Sequence, residues 1–412
     1  MTNSTNSLQP VSSSERFVVL DALRGFAILG ICMANFPEFS LYTFLEEGVA
    51  ELMATAGIDR IAKYFLSIFI DGKFYSIFSL LFGIGFSIII SNALRKGVNA
   101  FRIFYRRMFF LFLIGFLHLI LVWSGDILML YALMGMILPL FTRLSDKGLI
   151  TWAAVLLFLP VIVDFVCESL GISLSKNLME LQWYYCGQYG ITADNFAYWL
   201  RDAQNYNDVL KFLVQGAFER MQEFVDGNRY FKVLGLFLIG YYIGRNKIFA
   251  NLESRRSWLI RLSKTGWFVG LPLSIVYAYS SIEGHPWGWG VHSLLYFISV
   301  YITSFGYIAT FCLMYLKFRN GWCWKVLAAP GKMALTNYIG QSVAGMFIFY
   351  GIGLTFGAST GLIYVELIAI GVFIVEIIFS ISWTRFFRFG PLEWIWRCCT
   401  YGRLFSIGRQ VT

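Results

Sequence analysis

Long apolar stretches, broken at short intervals by charged or glycine-rich segments, set the pattern of this 412-residue chain. Ten of them lie near 17–36, 73–91, 104–124, 126–143, 149–171, 230–246, 257–279, 291–317, 333–356 and 361–384. At about 1.5 Å of rise per residue, each is long enough as a helix to cross an apolar layer of roughly 30 Å. The pattern predicts an all-α, polytopic integral membrane protein with about ten transmembrane helices. Only Ser124-Gly125-Asp126 parts the third stretch from the fourth, which makes a tight hairpin.

Residues 59–71 and 209–226 keep helical apolar spacing but carry charges within it, the pattern of amphipathic helices lying on a surface. The opening 1–15, rich in Ser, Asn and Thr, predicts a disordered cytoplasmic tail. The expected organisation is then a five-span half over 16–171 with a polar cavity and an extracytoplasmic loop over 172–229. A second five-span half over 230–388 and a cytoplasmic interfacial tail helix within 389–412 complete it.

Composition agrees with a lipid solvent. Hydrophobic residues make up 58% and charged residues 14%, with a mean hydropathy of +0.65. A water-soluble domain cannot bury that much apolar surface, which excludes a cytosolic enzyme and a disordered chain. The net charge of +9 does not imply nucleic acid, because no basic stretch is interleaved with stacking aromatics on a soluble domain. It follows instead from the loops. Alternating ten spans from a cytoplasmic N-terminus places 23 of the 33 Lys and Arg inside and seven outside, which puts both termini in the cytoplasm. The seven cysteines and three histidines offer no zinc spacing, so no metal is expected. Cys167 and Cys186 share the outer compartment and read more readily as two thiols than as a disulfide.

An ionisable group inside a membrane costs at least about 2.5 kcal/mol and demands a reason. Arg24 stands within the first span with Asp21 one turn before it. The pair is either an anchoring salt bridge or a guanidinium turned into a cavity to meet phosphate or carboxylate. His118 is the histidine embedded in a span, whereas His285 and His292 flank an outer loop. It either stabilises the bundle or serves as general base, with Asp126 as its orienting carboxylate. Asp126 suits the N-cap of the fourth span equally well. Asp71 and Lys73 open the second span and are candidate substrate-binding residues. Asn337 and Gln341, four apart on the ninth, either bond between helices or line the cavity. Glu376 in the last span faces the bundle.

Arg102, Arg106 and Arg107 at the inner face either set topology or receive the phosphates of a donor. Pro391 is placed to begin a short helix with Glu393 in its first turn. This helix is either an interfacial anchor or a closure of the inner mouth, in which Glu393 pairs with Arg106 or Arg107. There is no phosphate-binding glycine loop and no nucleophile elbow.

Leu20-Asp21-Ala22-Leu23-Arg24-Gly25-Phe26 resembles the opening of YeiB-type membrane proteins, the domain-of-unknown-function family 418. So do Asp71–Phe86, the hairpin with His118 and Gly125-Asp126-Ile127-Leu128, Gly331-Lys332-Met333-Ala334-Leu335-Thr336-Asn337-Tyr338, and Phe389-Gly390-Pro391-Leu392-Glu393-Trp394. That family is similar to a wider group of transmembrane acyltransferases. The resemblance implies transfer of an acyl group from a cytoplasmic acyl thioester, acyl-CoA among them, to an extracytoplasmic or lipid-linked acceptor such as a glycan. It implies a bacterial inner membrane, no permanently bound cofactor, and an essential membrane histidine, for which His118 is the candidate. The contrasting expectation is a transporter or flippase that uses the same cavity, with His118 coupling protons.

Overall fold

The computed structural model describes residues 18–95 and 97–409; the expected tail 1–15 lies outside them. The described residues form eighteen α-helices and no strand, with one isolated antiparallel bridge from Phe387 to Gly408. In lipid a backbone amide has no water to bond, so an apolar chain satisfies itself as helix.

The first third holds α1 (Val18–Phe39), α2 (Glu47–Glu51), α3 (Ala56–Phe65), α4 (Lys73–Arg95), α5 (Ala100–Leu121) and α6 (Leu128–Ile137). After α7 (Asp146–Leu170) come α8 (Lys176–Tyr189), α9 (Ala193–Phe196) and α10 (Tyr206–Asp226), a helical layer between membrane segments. Then follow α11 (Arg229–Arg245), α12 (Arg256–Thr265), α13 (Leu271–Ile282) and α14 (Trp289–Lys317). The last part is α15 (Trp322–Lys332), α16 (Ala334–Phe349), α17 (Leu362–Phe386) and α18 (Pro391–Tyr401).

Among the described residues, six helical stretches are long and apolar enough to cross a membrane: Val18–Phe39, Ala56–Arg95, Ala100–Leu121, Asp146–Leu170, Trp289–Lys317 and Leu362–Phe386. The protein is therefore an integral membrane protein. The other expected spans also carry helices, α6, α11, α12 with α13, and α16, but these are shorter or less apolar. Large side chains such as Phe109, Val155, Ile162 and Val375 point outward, as a lipid solvent permits.

Two amphipathic helices differ from expectation. In α3 the apolar face is the outer one: Ile58, Ile61 and Phe65 are exposed, while Asp59 is buried and accepts a bond from the Ile363 amide, 2.9 Å, at the start of α17. In α10 the inward face carries Arg220 along with Val209, Phe212 and Phe224. Apolar spacing alone does not say which side faces a core when the solvent is lipid. Cys167 and Cys186 are free thiols.

α1 is central and packs against α4, α15, α16 and α17. Its crossing with α15 is set by two glycines. A Cβ on Gly25 would stand 1.9 Å from the Leu327 carbonyl oxygen, and one on Gly331 would stand 1.9 Å from that of Asp21. Backbone thus lies on backbone, a distance that only small residues allow. The two sequence segments Leu-Arg-Gly and Gly-Lys-Met are brought together at this crossing.

Candidate functional site

The packing around α1 leaves a cavity of about 660 Å³. Arg24 and Glu38, both on α1, line its two ends, so it follows that helix for about 21 Å at about 1.5 Å per residue. The middle is apolar, walled by Ile28 and Ile31 of α1, Phe78 and Phe82 of α4, and Met108 and Leu111 of α5.

At the α18 end, Arg24, Arg107, Lys332 and Arg397 line the cavity beside the carboxylate of Glu393. Arg24 Nη1 donates to Asp21 Oδ1 at 3.0 Å. The Arg107 guanidinium lies 3.6 Å from the centre of the Trp396 ring, a cation–π contact that leaves its charge in place. Glu393 does not pair with Arg106 or Arg107 as the sequence suggested. Its Oε1 accepts from the Leu335 and Thr336 amides at 2.7 and 3.0 Å, and its Oε2 from Thr336 Oγ1 at 2.6 Å. It caps the first turn of α16, where orphan amides and the helix dipole favour a negative charge. Burial pushes the carboxyl above its usual range, and the Thr336 and Leu335 bonds pull it back. The fold-back of α18 under the bundle is present, held by Trp396 Nε1 on the Arg107 carbonyl at 2.9 Å and by Arg106 Nη2 on that of Cys399 at 2.9 Å.

The α10 end is polar and mixed in charge. Asp71, Asp164, Glu223, Asp226 and Glu38 line it with Arg220, Arg229 and Lys232, and with Tyr277, Tyr296 and His292. These groups largely satisfy one another. Arg220 reaches Glu38 at 3.2 Å, the Ser124 carbonyl at 3.0 Å and Glu223. It thereby ties α10 to α1 and to the α5–α6 hairpin. Tyr277 donates to Asp71 at 2.6 Å, and Asp164 accepts from Asn228 at 2.8 Å and from Ser293. Lys232 lies 4.0 Å from the centre of the Tyr296 ring. One turn of α10 away from Glu223, burial first, and then Glu38 and Glu223, push the Glu219 carboxyl up to about 8.

His118 and Asp126 meet, Nδ1 to Oδ2, at 2.9 Å, and His118 Nε2 stands 2.9 Å from Ser342 Oγ on α16. Asp126 Oδ1 also accepts from the Met129 amide at 2.8 Å, so the carboxylate caps α6 as well as holding the imidazole. Gly115 lets the hairpin close this tightly; a Cβ there would stand 2.5 Å from the Met129 nitrogen. His118 is 2% exposed and Asp126 1%, and neither lines the cavity. The wall in front of them is made by Gly125, Ile127 and Tyr338.

The expected lining is thus only partly the observed one. Arg24, Asp71, Arg107 and Glu393 line the cavity, while His118, Asp126, Lys73, Arg102, Arg106, Asn337 and Gln341 do not. Lys73 is fully buried and donates to the Ser67 carbonyl at 2.7 Å. Asn337 bonds Ser380 at 3.1 Å and Gln341 bonds Glu376 at 2.9 Å, which are interhelical bonds between α16 and α17. Arg102 and Arg106 are exposed at the start of α5. Sequence reasoning missed the whole α10 end apart from Asp71. Asp164 and Lys232, charges inside apolar stretches, were the available signal.

Comparison with known proteins agrees with the membrane fold. The family described as "Protein of unknown function (DUF418)" matches residues 243–403. The chain is 31% identical over 409 residues to "Uncharacterized protein YxaH" of Bacillus subtilis (strain 168), covering 96% of this chain and 97% of that protein. It is 28% identical over 404 residues to "Uncharacterized protein YeiB" of Escherichia coli (strain K12), covering 94% of this chain and 96% of that protein. A similarity of this extent spans α1 and α4 to α6 as well as the matched C-terminal part, and the chain belongs to the YeiB-like DUF418 family of membrane proteins.

Proposed function

We propose that the protein is a membrane-embedded acyltransferase, which takes an acyl group from a cytoplasmic acyl thioester and passes it to an acceptor at the opposite face. The observation that carries this reading is one continuous cavity with unlike ends. The α18 end has cations beyond the one carboxylate that shares it, which suits the phosphates of a donor such as acyl-CoA. The apolar middle suits the arm and acyl chain, and the polar α10 end suits an acceptor with hydroxyl groups, a glycan or a lipid-linked one.

In this reading the α18 end is cytoplasmic, as are both termini, and ten helices cross a bacterial inner membrane. The lysine and arginine asymmetry between loops supports that orientation. Apposing donor and acceptor in one dry cavity supplies proximity and excludes water as a competing acceptor. The His118–Asp126–Ser342 bonds hold the hairpin that forms the cavity wall.

The test is incubation of purified protein in nanodiscs with radiolabelled acetyl-CoA and membrane glycolipids. Label should pass to the lipid fraction and fall at least tenfold in Arg107→Ala. No transfer above heat-inactivated protein would reject the reading. A passage for a solute is the second reading, favoured by the reach of the cavity along α1. Solute flux into proteoliposomes without chemical change would select it.

A further inference from the structure

We propose that His292, not His118, is the proton acceptor in this transfer, and that the chamber at the α10 end binds a neutral hydroxyl-bearing acceptor. The inference rests on the acyl-transfer reading and assigns its chemistry to residues.

The two histidines differ in what their ring nitrogens have left to offer. His118 uses both, at 2.9 Å to Asp126 and at 2.9 Å to Ser342, behind a wall that separates it from the cavity. In place it can exchange a proton only with Ser342; to take one from an acceptor in the cavity it would have to give up that bond and move. His292 lines the cavity. Its Nδ1 stands 3.1 Å from Ser280 Oγ, and among the described residues Nε2 makes no hydrogen bond. In the tautomer that donates Nδ1–H to Ser280, Nε2 is a free base held in place by its neighbours.

Those neighbours include polar and charged groups that an acceptor would meet. The Tyr277 ring lies 5.0 Å from the imidazole and its hydroxyl donates to Asp71 at 2.6 Å. Ser293, the next residue along α14, donates to Asp164. Asp71, Asp164 and Lys232 share the chamber with the imidazole, and the His285 ring lies 4.2 Å from it, centre to centre. Carboxylates outnumber cations at this end, so an anionic acceptor would be repelled, whereas a hydroxyl finds both donors and acceptors.

The step balances without a further reactant. The acceptor oxygen attacks the thioester carbonyl, its O–H bond breaks, and the proton passes to His292 Nε2. A C–O bond forms as the C–S bond breaks, and the proton on His292 then goes to the departing thiolate.

Two measurements on the full chain in nanodiscs test this. Diethyl pyrocarbonate followed by peptide mass analysis should carbethoxylate His292 and leave His118 unmodified. Modification of His118 with His292 inert would overturn the proposal, whatever the protein catalyses. With radiolabelled acetyl-CoA and a total membrane lipid extract, His292→Gln should lower the turnover by at least about 100-fold while acetyl-CoA affinity is kept. Transfer by the unmodified protein that survives His292→Gln and disappears in a folded His118→Gln would overturn the base assignment alone. Absence of transfer by the unmodified protein would remove the acyl-transfer reading and this step with it.

Discussion

The two ends of the cavity are built on opposite electrostatic plans. At the α18 end Arg24, which Asp21 already pairs, lines the wall with Arg107, Lys332, Arg397 and one carboxylate, and that carboxylate is committed to the first turn of α16. At the α10 end five carboxylates face three cations, and the principal ones are bonded to each other or to neighbouring hydroxyl and amide groups. A cavity wall richer in cations than in carboxylates suits an anionic ligand, whereas a cluster of mutually bonded charges holds structure together. One end is thus arranged to attract, the other to brace and to bond.

The largest expected effect comes from breaking the braced end. Arg220→Ala would leave the half-buried Glu38 without its partner and Glu223 with Arg229 alone, and denaturation in micelles should show a loss of about 1.5–3 kcal/mol. A loss below about 1 kcal/mol would mean that these charges do not depend on one another. Arg107→Ala should do the reverse at the attracting end. Acyl-CoA binding by calorimetry should weaken at least tenfold, about 1.4 kcal/mol, while stability falls by no more than the roughly 0.5–1 kcal/mol of the Trp396 contact.

Glu393→Gln sharpens the contrast within one residue. It removes a charged cap from α16, costing about 1 kcal/mol, yet it adds to the positive surplus, so acyl-CoA affinity should rise. The smallest effect is expected at Glu219, whose carboxyl is pushed up to about 8 by burial and by Glu38 and Glu223. A folded pKa above the unfolded one favours the neutral acid, so stability declines as pH rises from about 4.5 through 8. Glu219→Gln should flatten that part of the melting-temperature profile and leave the value at pH 5 within about 2 °C. An unchanged slope would remove Glu219 from the cluster.

Much of the helix plan was legible because lipid enforces it: apolar runs such as 361–384 have no alternative to helix. The α18 fold-back was legible in part, since Pro391 and the aromatic residues after it mark a short interfacial helix, but the partner of Glu393 was not. Helix-capping amides carry no sequence signature, whereas Arg106 and Arg107 advertise themselves. The α10 end stayed hidden for a different reason. Arg220 looks like a surface charge on an amphipathic helix until Glu38, 182 residues away, is folded against it. His118 drew attention because it interrupts an apolar run, and His292 did not because it lies beside a loop. Depth in the membrane and access to the cavity proved to be separate properties.

The Gly25–Gly331 crossing has a consequence for how the chain is made. α1 leaves the ribosome well before α15, the helix that its backbone must touch, which is synthesised about 300 residues later. At about 5–20 residues per second, α1 waits for roughly 15–60 s in the bilayer without its principal neighbour. Through that interval a lone guanidinium would be drawn back toward water. The Asp21–Arg24 bond lies within one helical turn, so it forms as soon as α1 does and keeps the arginine neutralised until α15 arrives. A ribosome-stalled chain ending before α15 should therefore retain α1 in the membrane, and the same chain carrying Asp21→Ala should release a fraction of it.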